Sequence, residues 1–485
     1  MPAEAAPAQS ATDHAEGADP AATQTVADRT GEPVHDIAGK DTPARAKPAA
    51  AGATVALKTC SPVETAYRFL ATLTRPGPLL VAVSGGSDSL ALLLALDAAR
   101  RTLPPAEANH PLLAVTIDHG LRAEAAIEAA AVAQLCAARS IPHETLRWTG
   151  AKPQTGLMAA AREARYRLLA GAARRHGAIA ILTAHTLTDQ AETRAMRQSR
   201  SGDMADDGMA DAVLHTQSGI WIIRPFLGLA RATLQAFLRT EGEGWIDDPS
   251  NADPRYERAR LRLSGAVSEE SPTTATRERE SREAAALLAD HLHLPVPRIA
   301  CLAPAFLDAL ERPAARRALF TLTRVIGGRV HGPGRAAEDR ILAFLANGSL
   351  DRRSAGRVVF DRRRDGLWLY REARGLPDLA LAPRDCAVWD GRLRVENRRE
   401  TPVRVTATTD LYATEAGLIG AGIPRAIARR AAPAEPVDLS DANVGHVPVL
   451  APWDTFLPRF DLTLADLLAR RAGLPAFPPL PAATN

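Results

Sequence analysis

The chain has 485 residues, 46% of them apolar and 24% charged, with a formal net charge of +3, which supplies core material for two or three domains. It holds no run of 18 apolar residues and no basic segment leading into an apolar one near the start, so membrane spanning and Sec export are not expected and a cytoplasmic location is. Its four cysteines, Cys60, Cys136, Cys301 and Cys386, form no Cys-x-x-Cys pair, which argues against a zinc ribbon or an iron–sulfur cradle and for reduced structural thiols.

Residues 1–57 are rich in Ala, Pro, Thr, Asp and Glu without apolar periodicity, and disorder is expected there because too little surface can be buried to offset ordering. Residues 1–55 carry eight acids and four bases, which leaves +7 on the remainder. That excess is mostly arginine and suits a partner rich in phosphate. From Pro62 the pattern alternates. A helix to Ala71, a strand Leu79 to Val83, a helix to about Arg101 and a strand Leu112 to Ile117 come first. A helix Ala123 to Arg139, a strand near Glu144 to Trp148, a helix Leu157 to His176 and a strand Ala178 to Thr183 follow. This is the pattern of an α/β domain with a doubly wound parallel sheet, assigned to residues 58–263. An Arg/Glu-rich linker near 264–283 leads to helical patterns from about Glu283 to Asn347, so residues 264–372 are expected to form a helical domain. Gly356 to Tyr370 and Cys386 to Glu396 read as strands, with hairpin turns at Asp365-Gly366 and Asp390-Gly391. With an amphipathic helix near Leu462 to Arg471, residues 373–485 are expected to form a small α+β region.

In a doubly wound sheet ligands sit beyond the carboxyl ends of the strands, which directs attention to the residues after Val83, Ile117 and Thr183. After Val83 comes Ser84-Gly85-Gly86-Ser87-Asp88-Ser89, opening an apolar helix. The first N–H groups of a helix lack intrahelical partners and carry the positive end of its dipole, and glycines let the chain wrap an anion closely. Ser84, Ser87 and Ser89 add hydroxyls. The stretch lacks the Lys-Ser/Thr end of a Walker A loop and resembles the Ser-Gly-Gly-Xaa-Asp-Ser pattern of PP-loop ATP pyrophosphatases. That resemblance implies cleavage of ATP between its α and β phosphates.

After Ile117 comes Asp118-His119-Gly120-Leu121-Arg122, and after Thr183 comes Ala184-His185 followed by Asp189-Gln190-Ala191-Glu192-Thr193. Asp189 and Glu192 are three apart at a helix start, so they share a face. They can bind Mg²⁺, receive an amine's charge and proton, or simply cap the helix. Arg162 and Arg165 share a face of the preceding helix, where two guanidinium groups can clamp a phosphate or carboxylate or stand in solvent beside Glu163.

Together the segments Ser84 to Ser89, Asp118 to Arg122, Ala161 to Tyr166, Ala184-His185 with Asp189 to Thr193, Arg224-Pro225 and Trp245 to Asn251 resemble the tRNA(Ile)-lysidine synthases over about residues 79–262. The resemblance implies ATP-dependent ligation of free lysine to carbon 2 of the wobble cytidine in an isoleucine tRNA with a CAU anticodon. It implies ATP and Mg²⁺ as cofactors and a homodimer as one arrangement. Ser84, Gly85, Gly86, Ser87, Asp88, Ser89 and His119 would bind ATP. Asp88 and Asp189 would hold metal, Asp189 and Glu192 would serve lysine and proton transfer, and Arg162 and Arg165 would face phosphate or tRNA. Residues 264–485 would bind and select the tRNA. Thr186 and Thr188 stand where this family often has His and Asp, and arginines 255, 258, 260 and 262 follow the turn-rich stretch 247–251. Two other readings compete: a different PP-loop nucleotidyl transferase, and a tRNA-binding homologue with a decayed site. Paired cysteines for sulfur transfer and a glutaminase-like domain are both lacking, which separates the chain from thiolating and amide-forming relatives.

Overall fold

Strand β1 (Leu79–Ala82) is buried along its whole length, as expected for a strand covered by helices on both faces. The computed structural model describes residues 60–104, 109–121, 124–150, 152–201, 208–246, 274–437 and 439–483. Leu79 and Val81 join one apolar cluster, with Leu92 and Leu96 of α2 (Ser87–Thr102) and Val132 and Cys136 of α3 (Ala125–Ala138). Leu80 and Ala82 join another, with Tyr166, Leu169 and Ala173 of α4 (Leu157–Arg175). The period of two thus separates the two helical layers. Helix α1 (Pro62–Ala71) starts at Ser61, whose hydroxyl accepts from the Glu64 N–H at 3.1 Å, with proline in the first helical position.

Strand β1 pairs in parallel with β2 (Leu112–Asp118) on one side and with β4 (Ala180–Leu182) on the other. Strand β3 (His143–Arg147) continues in parallel beyond β2, and β6 (Ile220–Ile223) beyond β4. The order β3-β2-β1-β4-β6 reverses direction of progress between β1 and β4, and that switch point is where a crevice opens at the strand ends. Antiparallel β5 (Ala212–His215) and β17 (Phe456–Pro458) extend the sheet. Helices α5 (Leu187–Ser201) and α6 (Arg231–Thr240) follow β4 and β6.

The expected doubly wound parallel core is present, with its first four strands close to their expected bounds. Three features differ. The hairpin β5–β6 and the edge strand β17 were not expected. Their runs are only three or four residues long, and β17 ends in Pro458, so little periodicity marks them. Residues 274–372, expected to be helical, do contain α7 (Thr274–His291), the single turn α8 (Pro304–Leu307), α9 (Pro313–Gly327) and α10 (Arg335–Ala346). They also contain an antiparallel five-stranded sheet, β7 (Leu292–Val296), β8 (Ile299–Leu302), β11 (Gly366–Arg371), β10 (Val358–Arg363) and β9 (Arg352–Ala355), so this part is mixed rather than helical. Finally, boundaries at 263 and 372 cut through shared structure. The cluster around α2 continues through Ala284, Leu288, Leu319, Phe360 and Leu464. The C-terminal segment also returns to the first sheet, where the Trp221 indole donates to Pro478 O at 3.1 Å.

The hairpins expected at Asp365-Gly366 and Asp390-Gly391 join β10 to β11 and β13 (Cys386–Trp389) to β14 (Leu393–Asn397). Strand β12 (Leu379–Leu381) pairs with β15 (Val403–Val405), and β16 (Val444–Pro448) adds to β14. Helices α11 (Leu411–Gly420) and α12 (Arg425–Ala431) lie between β15 and β16, and the expected amphipathic helix is α13 (Leu462–Arg471). Among the described residues no helix is long and apolar enough to cross a membrane. The tail 1–57 lies outside the described residues.

Candidate active site

The bend between β1 and α2 is built by its own side chains. Ser89 Oγ accepts from the Ser84 N–H at 3.1 Å and donates to Gly86 O at 3.0 Å, and it lies 3.3 Å from Ser84 Oγ. Gly85 has φ +82°, a left-handed conformation that glycine adopts without cost. A Cβ there would lie 2.9 Å from Ile246 Cδ1, and the Gly85 carbonyl accepts from the Ile246 N–H at 3.0 Å. Thus Trp245-Ile246, singled out in the sequence, packs on the loop. Gly86 is the N-cap of α2 with no side chain closing the helix start, and a Cβ added there meets nothing nearer than 3.7 Å. The helix start is therefore approachable by an anion.

Three helix starts converge beside it. Asp88 comes from α2, Asp189 and Glu192 from α5, and Arg231 from α6. Arg231 Nε and Nη2 both lie 2.9 Å from Asp88 Oδ2, and Nη2 lies 3.6 Å from Asp189 Oδ1. The Asp88, Asp189 and Arg231 side chains are 17%, 10% and 26% exposed, so water screens their charges only in part. Burial pushes the Asp88 carboxyl above its ordinary value, Arg231 pulls it back and Asp189 adds to the rise. For Arg231, burial disfavours the charge, but Asp88, Asp189 and Glu192 outweigh it and hold the guanidinium above its ordinary value.

Asp189 also caps its helix, one of the alternatives the spacing left open. Its Oδ2 accepts from the Thr186 N–H at 2.8 Å and the Thr186 hydroxyl at 2.9 Å, leaving Oδ1 toward Arg231. Thr186 is fully buried, so the residue that departs from the family's usual pattern serves here to orient Asp189. Glu192 is buried as well.

Arg162, Arg165 and His119 gather in a neighbouring cluster. The Arg162 guanidinium lies 4.9 Å from the centre of the Tyr166 ring. Although burial raises the Tyr166 phenol, Arg162, Arg165 and Arg224 together bring it below its ordinary value. Arg224 Nη1 donates to Ala210 O at 2.6 Å, a structural role for the Arg224-Pro225 pair. His119 packs edge-on to Trp148 with ring centres 6.2 Å apart, and its buried Nδ1 has no hydrogen-bond partner among the described residues. Burial, then Arg165, lowers its pKa. His185 Nδ1 lies 3.1 Å from Thr183 Oγ1, and Asp118 accepts from the Gly120 N–H at 2.7 Å. Arg122, residues 247–251 and arginines 255, 258, 260 and 262 lie outside the described residues. Arg231 escaped the sequence reading because β6 was not recognised. Once Ile220–Ile223 is seen as a strand of the same sheet, the helix start after it becomes a place to look.

Among the described residues no group of three or more His, Cys, Asp or Glu side chains forms a self-contained metal site. Asp88 and Asp189 supply two carboxylates, which fits the way Mg²⁺ is held, by one or two acids together with substrate phosphates.

A family described as a PP-loop domain matches residues 62–266. The tRNA(Ile)-lysidine synthase of Rhizobium meliloti (strain 1021) is 43% identical over 442 residues, covering 86% of this chain and 97% of the relative. That of Mesorhizobium japonicum is 40% identical over 432 residues, covering 83% and 94%. Among solved structures, the U34-tRNA thiolase NcsA from Methanococcus maripaludis aligns at a TM-score of 0.32 and 15% identity over 44% of this chain and 81% of that one, too slight a likeness to build on. With nearly the full length of a 43% identical relative covered, and a PP-loop placed at the sheet's switch point, this chain belongs to the tRNA(Ile)-lysidine synthase family.

Proposed function

We propose that this protein joins free lysine to carbon 2 of the wobble cytidine of tRNA(Ile) with a CAU anticodon, in the cytoplasm, in two steps. First the cytosine O2 attacks the α-phosphorus of ATP and pyrophosphate leaves. The ε-amine of lysine then attacks carbon 2, and O2 departs with AMP. The order follows from chemistry: the O2 of cytosine is a poor leaving group until adenylation makes it a good one. Lysine's amine, with an ordinary pKa near 10.4, is protonated at neutral pH, so an acid must hold the ammonium and take a proton before attack.

The observation that carries this reading is the convergence of an open, glycine-lined helix start with Asp88, Asp189 and Glu192 at one switch point. The N–H groups at the start of α2 and the hydroxyls of Ser84 and Ser87 receive the departing pyrophosphate, Ser89 shaping the bend through its bonds to Ser84 and Gly86, and the helix dipole favours the charge. Asp88 and Asp189 would hold Mg²⁺ together with the phosphates, and the ion would supply charge neutralisation at the leaving group. Asp189 and Glu192 hold the lysine ammonium and accept its proton. Arg162 and Arg165 face the tRNA phosphates beside His119.

Residues 264–485 bind and select the tRNA in this proposal. Its support is a cleft of about 520 Å³ lined by Arg352, Arg353, Arg429 and Arg430 with Ser354 and Tyr370. Arg430 pairs with Asp361 and Arg353 with Asp351, which also lines the cleft, so four guanidinium groups there face one lining carboxylate. An excess of guanidinium groups in a cleft suits a phosphodiester backbone. The deciding experiment combines purified protein, the tRNA, ATP and labelled lysine. Label appears in the tRNA, on one cytidine, if the reading is right; a protein that binds the tRNA without incorporating label refutes it.

A further inference from the structure

Asp88 and Asp189 arrive from different helices, yet one guanidinium serves both, at 2.9 Å and 3.6 Å, with Glu192 adding to the same field. In the ligase reading, on which the role of Arg231 rests, these acids receive cations that the reaction brings in. Asp189 Oδ2 is taken by the cap and its Oδ1 already faces the guanidinium, so neither oxygen is open to lysine's ammonium while Arg231 stays in place. A triphosphate arriving at the start of α2 lies beside Asp88, the second residue of that helix. It presents several oxygens to the guanidinium fork, whereas Arg231 Nε and Nη2 now meet at a single carboxylate oxygen. The Arg231 side chain is partly exposed, which leaves its fork room to turn.

We infer that Arg231 is an internal counter-cation that withholds Asp189 from lysine until the phosphates of ATP draw its guanidinium away, so that nucleotide binding opens the lysine site. Lysine then binds after ATP, and by linkage lysine tightens ATP by the same factor. Free lysine alone finds the acids occupied, which keeps the abundant amino acid out of an unloaded enzyme.

The test is calorimetric titration of lysine into the full chain, with and without α,β-methylene ATP and Mg²⁺. The wild type should bind lysine at least about tenfold more tightly with the analogue, within the usual range of coupling between sites. Arg231→Gln should bind lysine without nucleotide about as well as the loaded wild type does, with the coupling reduced to within twofold of unity. A second measurement needs no variant: pyrophosphate with Mg²⁺ should strengthen lysine binding to the wild type, and adenosine should not. Equal coupling in wild type and Arg231→Gln would overturn the inference and leave Arg231 a strut between helices. So would adenosine acting as well as pyrophosphate. Failure to bind lysine in any state, together with no AMP release from ATP in the presence of tRNA, would instead overturn the ligase reading itself.

Discussion

Replacing Asp189 by Asn separates the two chemical steps. Asparagine keeps the shape, and its side-chain oxygen still accepts from the Thr186 N–H and hydroxyl, now at 2.8 and 2.9 Å, so the cap survives. What disappears is one negative charge 3.6 Å from Arg231. At an effective dielectric near 20 that attraction is about 4 to 5 kcal/mol gross. Desolvation offsets most of it and Arg231 keeps Asp88, so the net loss of folding stability should be about 1 kcal/mol. The kinetic effect is larger, because removing a positioned base costs on the order of 10² to 10⁴ in rate. In rapid-quench experiments with α-labelled ATP, formation of adenylated tRNA without lysine should fall by about tenfold, since Asp88 remains to hold Mg²⁺, while lysine transfer should fall at least about a hundredfold. Asp189 is also one cause of the raised Asp88 pKa, so the acid limb of the adenylation step should move to lower pH in the variant. Equal losses in both steps, or lysine transfer at the wild-type rate, would refute the assignment of Asp189 to lysine's ammonium and proton.

Gly85→Ala should destabilise the protein by about 1 to 2 kcal/mol, because a left-handed alanine is strained and its Cβ would lie 2.9 Å from Ile246 Cδ1; thermal unfolding reads the loss, and ATP titration should show weaker binding. The double substitution Arg352→Gln, Arg429→Gln should weaken tRNA binding and make its dependence on salt shallower, by about 0.7 to 0.9 in the log–log slope for each phosphate that is no longer neutralised; an unchanged slope would remove this cleft from the RNA surface. Burial lowers the His143 pKa below its ordinary 6.5, so the unfolded chain binds its proton more readily. The stability involved is complete above about pH 6.5 and is lost as pH falls through the lowered value. Denaturation midpoints at pH 5 and pH 7 should therefore differ less in His143→Gln than in the wild type.

The parallel core and its loop were legible because their signals are local. Four short apolar runs alternate with helical periods, and Ser84 to Ser89 is contiguous. The hairpin turns at Asp365-Gly366 and Asp390-Gly391 were legible for the same reason, since the turn itself dictates the residues. What was not legible depends on pairing at a distance. Strand β17 is three residues long and becomes a strand only because β5 lies alongside, some 240 residues earlier. Missing β6 hid Arg231, since an arginine at a helix start carries no local mark of the acids it will meet. Residues 292–302 form a strand pair whose partner, β11, lies beyond three further helices. The spacing of Asp189 and Glu192 allowed both capping and chemistry, and the geometry gives one Asp189 oxygen to the cap and leaves the other facing Arg231.

The central claim is that the bend beginning at Ser84 receives pyrophosphate while a base is activated by transfer of AMP. The most direct measurement is the stoichiometry of nucleotide products during lysine incorporation into tRNA(Ile). The account predicts one AMP and one pyrophosphate for each lysine incorporated, with mass spectrometry placing a lysine-sized increment on a single cytidine. Release of ADP and phosphate, or incorporation without pyrophosphate, would contradict it.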